Sequence, residues 1–110
     1  MSTAGDFDVR SEIAPGGAHV VHVSGELDLA TAPLLEEALA GVSGEKLVID
    51  LSGCTFLDSA GIRALVAATR DRSGARRLRI VTADPGIVRL LEITGVDTLM
   101  HVHPSVDAAL

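Results

Sequence analysis

The chain has 110 residues, 47% of them apolar, and a formal net charge of −6 at neutral pH. That length fits one domain spanning 1–110, able to hide roughly two-thirds of its unfolded surface, so one sizeable core is expected and a disordered chain is excluded. With two Phe and no Trp or Tyr, the core must be aliphatic, and no aromatic platform is available for stacking nucleic-acid bases.

Charge is unevenly spread. The first 60 residues carry ten acids and two bases, whereas five of the nine basic residues lie between Arg70 and Arg79 against one acid. Most of the surface would repel a nucleic acid, so no nucleic-acid partner is expected. The run "RDRSGARRLR" reads as a helix end and loop, with Arg70 and Arg72 complementing the helix dipole. Cys54 is alone, which rules out an intrachain disulfide and points to a reducing compartment. Neither a signal-peptide pattern nor a long apolar run is present, so a cytoplasmic protein without membrane insertion is expected.

Residues 1–6 read as a loose leader. "FDVRSEI" and "AHVVHVSG" read as short strands joined through the turn signal "PGG" into an antiparallel hairpin. "TAPLLEEALAGV" has helical spacing, with Thr31 as cap, Pro33 in the first turn, and an apolar face of Leu34, Leu35, Ala38 and Leu39. "KLVIDLS" is nearly continuous in apolar residues, as in a strand covered on both sides, and residues 52–57 follow as a loop. Asp50 is read as structural, accepting backbone N–H groups of that loop.

A helix begins after Asp58, with Ile62, Leu65, Val66 and Thr69 on one stripe and alanines at 60, 64, 67 and 68 for close packing. "RRLRIVT" is the next strand. "DPGIVRLLEITG" is a helix with Asp84 as cap, Pro85 in the first position and Gly95 just past the end. "DTLMHVH" reads as a last strand and "SVDAAL" as a closing helix. Strands alternating with helices mean crossovers. The expected fold is α/β: a mixed, mostly parallel sheet of four to five strands with four helices, and the hairpin at one end.

Several patterns could carry chemistry. His101 and His103 are two apart on a strand and share a face, so they could hold a metal, whereas His19 and His22 point to opposite faces. No cysteine or second carboxylate stands at zinc-site spacing near either pair, so exposed strand histidines are the expectation, and no cofactor is expected. No dinucleotide, P-loop or nucleophile-elbow motif is present.

"FLDSAGIRALV" is different. Asp58 as N-cap and Ser59 as first helical residue need nothing more than helix capping. Gly61 at the third helical position is not explained that way. Glycine costs roughly 1 kcal/mol relative to alanine in a helix interior, so a close backbone approach is expected there. The helix start follows a central strand, at the carboxyl end where open α/β sheets place their functional surface. A serine there lies near free N–H groups, where a phosphate is tolerated.

These residues resemble the signature of the STAS domain, specifically the bacterial anti-sigma factor antagonists. "VSGELDLATAPLLEEAL" resembles the family's first strand-to-helix passage, "LVIDLSGCTFLDSAGIRAL" its central strand and phosphorylatable helix start, and "ITGVDTLMHVHPSVDAAL" its ending. The resemblance implies a partner-switching protein that regulates transcription and catalyses nothing. Such antagonists bind an anti-sigma factor that is also a serine kinase of the histidine-kinase-like ATPase fold, freeing the sigma factor. The kinase phosphorylates the serine, here Ser59, and the complex dissociates. A phosphoserine phosphatase restores binding.

By the same resemblance, Asp28, Thr31, Asp58, Ala60, Gly61 and Ile62 line the partner surface. Asp58 helps position the hydroxyl, and Gly61 leaves space for the partner. Ala60 stands where the family often has a second hydroxyl, which makes Ser59 the clearer acceptor. Two rivals remain at this point: a STAS subunit of a membrane-associated ABC-type lipid-transport complex, docking without phosphate, and a small metal-dependent enzyme using the histidines.

Overall fold

The computed structural model describes residues 2–4, 6–42, 46–70 and 77–110, with side chains from 6 onward except those at 70 and 77. Six strands form one sheet in chain order: β1 (Ser2–Ala4), β2 (Phe7–Ile13), β3 (His19–Leu27), β4 (Lys46–Leu57), β5 (Arg77–Val81) and β6 (His101–His103). The first three pair antiparallel, and β3 through β6 are parallel. The mixed, mostly parallel arrangement is the expected one. It has one strand more, because Ser2–Ala4 pairs with Phe7–Val9 at the sheet edge instead of standing off as a leader.

Three crossovers carry α1 (Ala32–Ala40), α2 (Ser59–Arg70) and α3 (Pro85–Ile93), and a short α4 (Val106–Ala109) closes the chain. Alternation along the strands sends Val21, Val23, Leu47, Ile49, Leu51 and Ile80 to one face, where they meet Leu35 and Leu39 of α1, Leu65 of α2, and Ile87 and Leu91 of α3 in one core. The opposite face has a smaller cluster of Val20, Val48 and Val81 under Ala109 of α4. β4 is therefore apolar toward both layers, as the run "KLVIDL" requires.

Three local expectations change. Residues 52–57 continue β4 as strand, pairing with β3 through two register irregularities, between His22 and Ser24 and between Gly25 and Glu26. On α2 the buried stripe is Ala64, Leu65 and Ala68, while Ile62, Val66 and Thr69 are only partly buried at its flanks. The segment from Asp97 does not start a strand. Gly95 adopts a left-handed φ of 78°, and Val96–Thr98 forms a 3-10 turn in which the Thr98 hydroxyl donates to the Gly95 carbonyl at 2.6 Å, so the strand is confined to His101–His103. Asp84 caps α3 as expected, accepting from Gly86 N at 2.8 Å and Ile87 N at 3.2 Å. Arg72 and the Arg70 side chain, invoked for the helix dipole, lie outside the described residues.

Candidate functional site

The carboxyl ends of β3 and β4 lie side by side, with Leu27 paired to Leu57. Each strand then turns into a helix, and both turns are tied by an aspartate.

After β4, the Asp58 carboxylate accepts from Ala60 N at 2.9 Å and Gly61 N at 3.0 Å, while its carbonyl accepts from Ile62 N at 2.9 Å. Two of the free N–H groups of α2 are thus satisfied by one side-chain oxygen. That oxygen works on the backbone and makes no hydrogen bond to Ser59. Ser59 is exposed, and its hydroxyl has no hydrogen-bond partner among the described residues. It sits where the amide dipoles of α2 favour negative charge.

Gly61 is buried, and its missing side chain serves the fold. A Cβ there would stand 2.8 Å from the Leu27 carbonyl oxygen and 2.5 Å from Leu57 Cδ1. The same Leu27 carbonyl accepts from Asp58 N at 3.3 Å. The close backbone approach expected from the sequence is therefore real, but the approaching backbone is β3 of the same chain. The room is filled by Leu27, and a partner would not occupy it. Ala60, 8% exposed, is likewise mostly enclosed, and Ile62 is half-buried.

After β3, Asp28 Oδ1 accepts from Ala30 N at 3.0 Å and Thr31 N at 3.1 Å. The Thr31 hydroxyl donates to the Glu26 carbonyl at 2.7 Å and accepts from Asp28 N at 2.9 Å, and its residue is 7% exposed. Thr31 makes no side-chain cap to α1. The capping role expected of it fails because Asp28, three residues earlier, takes the turn's amides and draws the hydroxyl backward. Expected on the partner surface, Thr31 is buried, with its hydroxyl locked inside the turn. Asp28 remains half-exposed.

Two depressions mark the surface formed by these strand ends and helices, and Ser59 lines neither. One, of about 400 Å³, runs between α1 and α2 and is lined by Leu29, Ala32, Pro33, Ala60, Ala64 and Ala67, with Glu36 and Arg63 also on its walls. The other, of about 360 Å³, is acidic: Asp6, Glu26 and Asp28 line it together with Thr55 and Gly25. Gly25 has φ 93°, and a Cβ on it would come within 2.7 Å of the Asp6 carbonyl, so this wall is bare backbone by necessity. Leu29 (73% exposed) and Phe56 (49%) stand uncovered beside the helix start.

Sequence reasoning missed Leu27, Leu29, Phe56 and Arg63. A leucine inside an acidic turn and a phenylalanine before a cap were the available signals, but only pairing of the two strand ends brings them together.

The opposite sheet face holds a separate polar group. His22 Nδ1 lies 2.7 Å from Asp50 Oδ2, and His22 Nε2 lies 3.5 Å from Glu12. Asp50 Oδ1 accepts from the Ser52 hydroxyl at 2.6 Å and from Ser52 N at 3.0 Å. Burial pushes the Asp50 carboxyl up, but the Ser52 bonds and His22 outweigh it and hold it below the usual carboxylate range. Asp50 is structural, as expected, though its backbone donor lies in strand rather than loop. Burial pushes the Cys54 thiol up, and its Sγ donates to the Phe56 carbonyl at 3.1 Å. Among the described residues no group of three or more His, Cys, Asp or Glu is arranged to hold a metal ion, and the His101 and His103 rings lie 6.3 Å apart. Among them, too, no helix is long and apolar enough to cross a membrane.

Comparisons place this geometry among known proteins. The family model described as "Mlab, STAS domain" matches residues 12–102. The anti-sigma-F factor antagonist RsfB of Mycobacterium tuberculosis is 32% identical over 97 residues, covering 86% of this chain and 80% of the relative. The anti-sigma-B factor antagonist of Staphylococcus aureus is 34% identical over 87 residues, covering 76% and 81% respectively. The crystal structure of an anti-sigma factor antagonist from Mycobacterium paratuberculosis superposes with a TM-score of 0.88 at 36% identity, covering 98% of this chain and 95% of that one. The chain belongs to the STAS domain family.

Proposed function

We infer that this protein is an anti-sigma factor antagonist, a regulatory binding protein rather than an enzyme. The names of its relatives from Mycobacterium and Staphylococcus support that reading. The finer reading is a switch: the unmodified chain binds an anti-sigma factor that is also a serine kinase of the histidine-kinase-like ATPase fold, and phosphorylation of Ser59 ends the complex. A phosphoserine phosphatase would reset it.

One observation carries this reading: an exposed serine, with no internal partner for its hydroxyl, at the first position of a capped helix at the strands' carboxyl ends. In the reaction the Ser59 oxygen forms a bond to the γ-phosphorus of ATP as the bond from that phosphorus to the bridging oxygen breaks. ADP leaves, and the hydroxyl proton passes to a base on the kinase. The product adds about 1.5 to 2 negative charges beside Asp58. The dipole of α2 favours negative charge at that end, so the fold survives while the surface seen by the partner changes. Each ~1.4 kcal/mol of lost contact weakens binding tenfold, so one ill-fitting phosphate is enough to reverse the partnership. The acidic hollow and the exposed Leu29 and Phe56 call for a partner face with cationic and apolar groups.

Incubating the protein with a serine kinase of this fold from the same organism and ATP, followed by mass spectrometry, should place one phosphate on Ser59. Equal labelling of Ser59→Ala would end the assignment. The rival role as docking subunit of an ABC-type transport complex predicts instead that the bait retains an ATP-binding cassette protein and takes up no phosphate.

A further inference from the structure

Ser59 and Arg63 are four residues apart on α2, so their side chains rise on the same side of the helix, one turn from each other. Both are exposed. Arg63 has no hydrogen bond or ion pair to any described residue and lies on the wall of the α1–α2 groove. Glu36 lines the same groove from α1, and Asp58 precedes Ser59 in the chain; these are the acids that compete for the guanidinium. Arg63 is also the single cation among the described residues that line the groove and the acidic hollow.

We propose that Arg63 is the internal receptor of the phosphate: once Ser59 is phosphorylated, the guanidinium pairs with it across one helical turn and is withdrawn from the groove. This rests on Ser59 being the phosphoryl acceptor. The chemistry fits. A phosphate at the first helical position lies in the favourable field of the helix dipole, but Asp58 already takes the Ala60 and Gly61 amides, so its oxygens extend along the helix surface, where a guanidinium pairs with two of them at once. The residue order, anion nearer the helix N-terminus and cation four positions later, is the favourable one for such pairs. Before modification the guanidinium is free to meet an acidic group of a partner lying in the groove. After it, that contact is lost without any movement of the backbone. The switch is then double: the phosphate adds bulk and charge at position 59, and it also withdraws the Arg63 charge from the adjoining groove.

The test needs no kinase. The full chain is produced with phosphoserine incorporated at position 59 during translation, and the phosphate is titrated by phosphorus NMR. Its second ionisation should lie lower in the wild type than in Arg63→Gln by about 0.3 pH unit or more, the size expected for a helical pair of this spacing. Arg63→Lys should recover part of the difference, and salt at about 1 M should erase it. Circular dichroism confirms that the variants fold, and the Arg63 Nε–H resonance in the wild type gives a second readout, which should shift on phosphorylation. Identical titrations for wild type and Arg63→Gln, with an unmoved Arg63 resonance, would overturn the pairing. With the kinase that labels Ser59, the ratio of affinities for unmodified and phosphorylated protein should fall about twofold in Arg63→Gln, since that variant has no charge left to withdraw. An unchanged ratio would overturn the withdrawal from the groove. Failure of any kinase to label Ser59 would instead strike the parent reading, which is a separate result.

Discussion

Two polar regions of this molecule look alike in composition and differ in what their groups do. On the open sheet face, Glu12, His22, Asp50 and Ser52 come from three neighbouring strands and face one another, at 2.6 to 3.5 Å. At the carboxyl ends of β3 and β4, Ser59 and Arg63 face outward with no partner among the described residues, beside the uncovered Leu29 and Phe56. The first region uses its polar groups to hold strands together. The second leaves hydrogen-bonding capacity, charge and apolar area unspent, although Asp58 and Asp28 below it have spent theirs on the backbone. A group already satisfied inside the fold contributes to stability, whereas one left open is available for recognition. Substitutions in the two regions should therefore separate stability from binding.

The largest stability effect should come from the open face. Asp50→Ala removes the acceptor of three hydrogen bonds and leaves His22 and the Ser52 hydroxyl without it. A loss of about 2 kcal/mol in unfolding free energy is expected by urea denaturation, with partner binding unchanged. The pH dependence has a definite sign. Because the folded carboxyl titrates below its unfolded value, its stabilisation is complete above the ordinary aspartate range of about 4 and disappears as pH falls through the folded value. Stability curves of wild type and Asp50→Ala should thus converge on acidification. Parallel curves down to the lowest pH at which the protein folds would show that the carboxylate holds nothing.

This division was only partly visible in the sequence. The Asp58–Ser59 helix start was legible because capping is local: an acid that accepts from the second and third helical amides is written in four consecutive residues. The bare position at 61 was legible too, as a cost needing a reason. The reason was not, because Leu27 lies 34 residues away and reaches Gly61 only through parallel pairing of β3 with β4. Thr31 was misread for a similar cause. A threonine ahead of a helix looks like a cap until Asp28 is seen to hold the turn. Residues 52–57 read as loop because Ser52 and Gly53 interrupt the apolar run, yet the paired edge of β3 carries them as strand through its irregularities. What tertiary pairing decides, residue types alone do not announce.

The comparison sharpens at Gly61, which belongs to the site by position and to the fold by packing. Gly61→Ala brings a methyl group against the Leu27 carbonyl and Leu57, where something must shift. Crowding of this kind costs about 1 to 3 kcal/mol, and alanine's better helix propensity returns up to about 1, so a net loss near 1 kcal/mol is expected. The displaced Leu27 carbonyl also anchors Asp58 N, so kinase labelling of Ser59 should slow in the same variant. A variant as stable as wild type and labelled at the same rate would mean that β3 yields freely, and that the tight contact has no hold on the helix start.

The smallest stability effect should come from the residue proposed to take the phosphoryl group. Ser59→Ala removes an exposed hydroxyl without a partner at the first position of α2, while the cap itself is supplied by Asp58. Alanine is at least as good a helix former, so the unfolding free energy should stay within about 0.5 kcal/mol of wild type. The variant should still bind the partner in its unmodified-like form but should no longer release it when ATP is added, because no oxygen remains to take the phosphoryl group. A substantial stability loss in Ser59→Ala would place the hydroxyl among the satisfied groups of the fold, and the contrast between the two regions would then fail at its centre.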